Sequence, residues 1–203
     1  RRRRPRRCLR LPEPGCASGL IAALLDDPAA GAAGPVLTDG ADRVEGYGLR
    51  CDWRTGRHRV LGAGAAPPEG PPFPVPAVPF TAPMVRWRAI ETVTGGAPRR
   101  FLDEALFAYF EDLDACVRLA KAGWGCLAVP GARCGHEGAA SQGGACAPDR
   151  FYYGARNHLR VMQMHGEPAG TLLQGLRRAF IVSMYVGLAK TCPSSSRGPA
   201  VNG

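Results

Sequence analysis

"FAYFEDLDACVRLAKAGW", residues Phe107 to Trp124, places three carboxylates, Glu111, Asp112 and Asp114, directly behind an aromatic run. Beyond them Leu113, Cys116, Val117 and Ala120 recur at helical spacing, and Gly123 stands where a left-handed residue commonly ends a helix. The stretch predicts a helix over about 112–122 with an acidic first turn. Two explanations compete for that turn. The helix dipole favours first-turn acids by about 0.3–1 kcal/mol each, which makes the cluster a cap. Alternatively, one of the three is a base that takes a proton in a reaction.

Upstream, Leu20, Ile21, Leu24 and Leu25 predict a helix over 17–26 stopped by "DDP", and "GPVLT" predicts a short buried strand. "LRCDWRTGRHRVL" alternates about Thr55-Gly56 as a hairpin would. The Gly-, Ala- and Pro-rich stretch 62–79 predicts a connector, and Met84, Val85, Trp87, Ile90 and Val93 predict a helix over 84–93. Downstream, "WGCLAVP" predicts a strand closed by Pro130, "ARCGH" a second short extended piece, and 137–148 a loop. Two helices follow from Asp149, divided at Gly166-Glu167-Pro168, the second reaching Lys190. The pattern is that of an α/β domain with helices appended at its C-terminus.

Composition narrows the classes. With 45% hydrophobic and 21% charged residues, the chain has enough apolar material for a core. The net charge of +9 resides mostly in seven arginines among the first ten residues, leaving only +2 elsewhere. That distribution describes a basic tail without a folded nucleic-acid surface, so no nucleic-acid partner is expected. The start has no apolar core of an export signal and reads as a displaced segment, such as a message read out of frame. The eight cysteines follow no repeating pattern and are expected as free thiols in a cytoplasmic protein. A zinc site from Cys126, Cys134, His136 and Cys146 would lack the CxxC pairs common in structural zinc sites. No apolar run reaches transmembrane length.

Three segments, "FLDEALFAYFEDLDACVRLAKAGW", "LAVPGARCGHEGAAS" and "FYYGARNHLRVM", resemble in order and separation the family 2 glycosyltransferases of the GT-A fold, in particular the rhamnosyl- and galactofuranosyl-transferase-like members. "PEPGCASGLIAALLDDPAAGAAGPVLTDG" is similar to the segment that follows the family's nucleotide-sugar metal motif. The resemblance covers about 12–162. It implies inverting sugar transfer from a nucleotide-sugar to a glycan or lipid-linked acceptor in cell-surface polysaccharide synthesis.

By that resemblance Asp112 is the base that deprotonates the acceptor hydroxyl, and Glu111 helps hold the acceptor. Asp114, Trp124, Arg156 and Asn157 contribute to substrate binding or site closure, and His136 joins a Mg²⁺ or Mn²⁺ ion on the diphosphate. The family's first strands and its Asp-x-Asp should precede "PEPG", where this sequence has "RRRRPRRCLR" and no acid before Glu13. The resemblance therefore implies a truncated GT-A domain over 12–148, carrying the acceptor side. It is flanked by an Arg-rich segment at 1–11, C-terminal helices at 149–190 and a disordered tail at 191–203. A non-catalytic glycan- or partner-binding module on the same fold is the alternative.

The segment "AGTLLQGLRRAFIVSMYVGLAK" puts Leu172, Leu173, Leu176, Phe180, Ile181, Met184 and Leu188 on one face. Core packing or a dimer contact would explain that face, and so would peripheral contact with the inner surface of a membrane.

Overall fold

The computed structural model describes residues 10–39, 41, 43–136 and 146–192. Two parallel strands, β2 (Ala30–Thr38) and β8 (Gly125–His136), run side by side from Ala30 opposite Gly125 to Thr38 opposite Gly135. Short antiparallel strands line the outer edges of this pair. β3 (Val44–Gly46) and β7 (Met84–Val85) lie along β2, while β1 (Arg10–Pro12) and β6 (Phe73–Val75) lie along β8. A separate hairpin, β4 (Gly48–Asp52) and β5 (Arg57–Leu61), turns just before Gly56. The fold is mixed α/β.

Every residue of β2 is buried, as expected for a parallel strand covered on both faces. On one face α1 (Cys16–Asp26) packs Leu20 and Leu24 against Ala33, Leu127 and Val129. On the other, α3 (Glu111–Lys121) packs Leu113, Cys116 and Leu119 against Ala32, Cys126 and Ala128. The alternation of 126 and 128 against 127 and 129 is the strand period of two. Small residues in β2 let the layers come this close: a Cβ on Gly34 would stand 2.7 Å from Cβ of Val78. Arg86, just before α2 (Trp87–Thr94), binds the carbonyls of Leu24, Asp27 and Ala30 and so fastens the end of α1 to the start of β2.

Several elements differ from expectation. The strand expected at "GPVLT" begins four residues earlier, because the Ala-Gly run that resembles a loop in sequence is what permits close packing. The connector 62–79 contributes β6, and Ala77 and Val78 are fully buried. The helix expected over 84–93 is divided, with Met84 and Val85 pairing with β2 before α2 begins. "WGCLAVP" and "ARCGH" are one strand, β8, whose register to β2 shifts between Val129 and Arg133 to absorb Pro130. Arg10 and Leu11, expected in a displaced segment, belong to β1, since backbone pairing to β8 is indifferent to side-chain type. The Arg-rich residues 1–9, most of the expected loop (137–145) and of the expected tail (193–203) lie outside the described residues.

The C-terminal helices α4 (Pro148–His165) and α5 (Thr171–Lys190) match their expected bounds. The packing of α5 does not match a core helix. Of its seven apolar candidates only Ile181 is buried, whereas Leu172, Leu173, Leu176, Phe180 and Leu188 are exposed. Arg177 is buried instead, donating to the carbonyls of Arg54 and Glu167. Among the described residues, no helix is long and apolar enough to cross a membrane. Cys146 and Cys192 form a disulfide between the start of α4 and the end of α5, which departs from the expectation of free thiols; Cys16, Cys51, Cys116, Cys126 and Cys134 are free and buried.

Close packing of β2 makes a direct prediction. Gly34→Val should destabilise the fold by about 1–3 kcal/mol through overpacking against Val78. Gly131→Ala, where a Cβ meets no atom within 4 Å, should change it by about 0.5 kcal/mol or less. Urea unfolding of the two variants checks both.

Candidate functional site

The loop before α3 has unusual backbone geometry. Phe107, Tyr109 and Phe110 have φ of 61°, 67° and 70°, the left-handed region that residues with a Cβ adopt at a cost of about 1–2 kcal/mol each. The turn is tight at Phe107, where the amide of Ala108 donates to the carbonyl of Leu106 at 2.7 Å. Leu106 is fully buried and anchors the loop, while Phe107 is 77% exposed.

Two consecutive residues of α4 grip this loop. Nδ2 of the fully buried Asn157 donates to the carbonyls of Leu106, Ala108 and Tyr109 at 2.6, 2.6 and 2.9 Å. Arg156 donates through Nη2 to the carbonyls of Ala105 and Leu106 at 2.7 and 3.0 Å, and through Nε to Oδ1 of Asn157 at 2.9 Å. Its guanidinium also lies 4.9 Å from the ring centre of Tyr153, which packs against Phe107.

The loop delivers Glu111 and Asp112 into the first turn of α3. Phe110 occupies the N-cap position and makes no side-chain cap, so the two acids are not the cap residue itself. Asp112 is half-buried and its Oδ1 accepts the Leu113 amide at 2.7 Å. Burial, and then the neighbouring Glu111, push its pKa up to about 7, although the amides of Leu113, Phe80 and Asp112 itself pull in the other direction. A carboxylate titrating there is half-protonated near neutrality and suited to accept a proton.

Asp114 has a different environment. It is fully buried, its Oδ2 is held by Arg118 at 2.8 Å, and its Oδ1 lies 2.7 Å from Nε2 of His165. Nδ1 of that ring is 3.0 Å from Nζ of Lys121. With the ammonium donating to Nδ1, the ring donates from Nε2 to the carboxylate. Burial works to raise the pKa of Asp114, but the hydrogen bonds from His165 and Arg118 outweigh it and leave the group below its usual value. Both of its oxygens bond to groups within the protein. Arg118 is legible from the sequence as an i,i+4 partner of Asp114. His165, 51 residues away, carries no such signal.

The other expected residues divide. Arg156 and Asn157 meet the carboxylate loop. Trp124 lies beyond the C-terminal end of α3, packed beside Gly31 with Arg86 over its ring, and a helix of 11 residues separates it by roughly 16 Å from the first-turn acids. His136 ends β8 in register with Arg10; its side chain lies outside those described. Cys146 is in the disulfide and the thiol of Cys126 meets that of Cys116, so the zinc set is not assembled. Among the described residues, no group of three or more His, Cys, Asp or Glu could hold a metal ion. The cleft of ≈ 390 Å³ between Trp53 and α3 is lined by Cys51, Leu113, Val117, Ala120 and Lys121 and contains no carboxylate.

Comparison of the chain with family models, with curated proteins and with solved structures finds no match.

Asp114→Asn should cost about 3 kcal/mol near neutral pH, because it strands Arg118 and His165 around a neutral group. A folded-state pKa below the unfolded value means that the carboxylate's stabilisation is present above about pH 4 and is lost as pH falls through the folded pKa. Chemical denaturation from pH 7 down to 3 should show the wild-type advantage shrinking below that point.

Proposed function

We propose that the chain carries the acceptor side of a glycosyltransferase of the GT-A type, in which Asp112 is the general base. The observation that supports the reading most is the division of three neighbouring acids into one committed to internal partners and one half-buried with a pKa of about 7. A sugar hydroxyl is a weak nucleophile at neutral pH, so its attack on the anomeric carbon requires removal of its proton. In the proposed reaction Asp112 accepts that proton as the new C–O bond forms and the nucleoside diphosphate leaves with inversion. Glu111, beside it, keeps the carboxyl's proton affinity high and is placed to orient the acceptor.

The substrates proposed are a nucleotide-sugar donor and a glycan or lipid-linked acceptor, at the cytoplasmic face of a membrane. The outward residues of α5 favour peripheral membrane contact. Leu172, Leu176, Phe180, Val182 and Val186 are exposed, and no acid lies between Glu167 and Lys190. The protein should co-sediment with vesicles containing anionic lipid, and Leu176→Glu with Phe180→Glu should abolish this. Equal sedimentation of the double variant would remove α5 from the contact.

Asp112→Asn separates catalysis from stability. The amide preserves the acceptor for the Leu113 N–H, and in a version with the upstream donor side and its Asp-x-Asp restored, acceptor-dependent release of nucleoside diphosphate from a panel of UDP-, GDP- and dTDP-sugars should fall by about two to four orders of magnitude. Stability should move the other way. A carboxyl whose folded pKa lies above its unfolded pKa costs stability as pH rises toward and through about 7, so the Asn variant should be more stable than wild type at pH 8. Undiminished turnover in Asp112→Asn would overturn the reading.

A further inference from the structure

We infer that Arg156 and Asn157 are positioning residues for the proposed base: by holding the left-handed loop from Ala105 to Phe110 against α4, they fix where the first turn of α3 presents Asp112. The inference rests on the reading of Asp112 as the base.

The loop has little reason to keep its shape unaided. Phe107, Tyr109 and Phe110 are left-handed without being glycine, and Phe107 gains no burial in return. Strain of this kind persists where surrounding contacts over-determine the backbone. Here the contacts come from side-chain donors on α4, which bind the carbonyls of Ala105, Leu106, Ala108 and Tyr109. Asn157 is itself oriented by Arg156, so the pair acts as one unit. A carboxamide suits the task because it supplies two N–H groups at one buried point and an oxygen that receives the guanidinium. Asp103 helps at the start of the loop, where Oδ1 accepts the Ala105 amide and Oδ2 meets Arg160, which is more exposed.

Phe110 is the last residue of the loop and the N-cap of α3, with its carbonyl accepting the amide of Asp114. Its conformation therefore sets the entry of the chain into the turn that carries Glu111 and Asp112. The charged or titratable groups that act on Asp112 are Glu111, beside it, and Cys116, one turn along α3; Phe80 contributes a backbone amide from the facing segment. No arginine or lysine is among them, so release of the loop changes Asp112 mainly by admitting water.

The test is a carboxyl ¹³C titration of Asp112 in the full chain, comparing wild type with Asn157→Leu and Arg156→Met. Both variants keep side-chain bulk and remove the donors. Arg156→Met leaves the buried Asn157 in place and serves if Asn157→Leu does not fold. Each folded variant should lower the Asp112 midpoint by about one pH unit or more as the carboxyl becomes hydrated. The Asp114 resonance should keep its wild-type midpoint, and Arg156→Lys should recover part of the loss. In Gln163→Ala, a control at an exposed position of the same helix, the Asp112 midpoint should stay at the wild-type value.

A high wild-type midpoint that neither Asn157→Leu nor Arg156→Met moves would overturn the positioning role alone. A wild-type midpoint in the ordinary aspartate range would overturn the base reading and the positioning role with it.

Discussion

Burial of the β2–β8 pair on both faces is the constraint from which the other placements follow. Two parallel strands can be covered this closely only if one is made of small residues, and β2 supplies Ala30, Gly31, Ala32, Ala33 and Gly34 in succession. α1 and Arg86 close one side; α3, Ala77 and Val78 close the other. With Leu113, Cys116 and Leu119 sunk into that second layer, the rotation of α3 about its axis is fixed, and so is the direction in which each first-turn acid leaves it. Asp114 shares the inward side and meets Arg118 and His165, while Asp112 leaves the helix beside Phe80.

Three acids in one turn thus face two environments. At Asp114, cationic and hydrogen-bond partners overcome the cost of burial and keep the ion; at Asp112, burial and a like charge prevail over amide donors and favour the neutral acid. Spacing in the sequence explains neither result alone. The result at Asp114 depends on a partner distant along the chain, His165.

Much of the framework is legible in the sequence because its signals are local. Helix α3 and the division between α4 and α5 follow from apolar spacing and from Gly-Glu-Pro, and the β4–β5 turn follows from Thr55-Gly56. β2 is harder to read since its Ala-Gly run has low strand propensity and forms a strand only when both faces are covered. β6 and β7, of three and two residues, are formed by pairing across the sheet and have no period long enough to detect. At the site, Asp112 and Glu111 stand out by composition, and the Arg156-Asn157 pair by resemblance. The grip of that pair on carbonyls about 50 positions earlier is a tertiary fact. α5 shows the converse, with a strong apolar pattern that leaves most of its residues exposed while Arg177 makes the buried contact.

The most direct test of the account is to titrate the side-chain carboxyls of Asp112 and Asp114 together, by ¹³C NMR of the wild-type chain. The two midpoints should fall on opposite sides of the ordinary aspartate value, with Asp112 near 7 and Asp114 below it. Two midpoints that coincide within the ordinary range would contradict it, and would leave the acidic first turn of α3 as a helix cap.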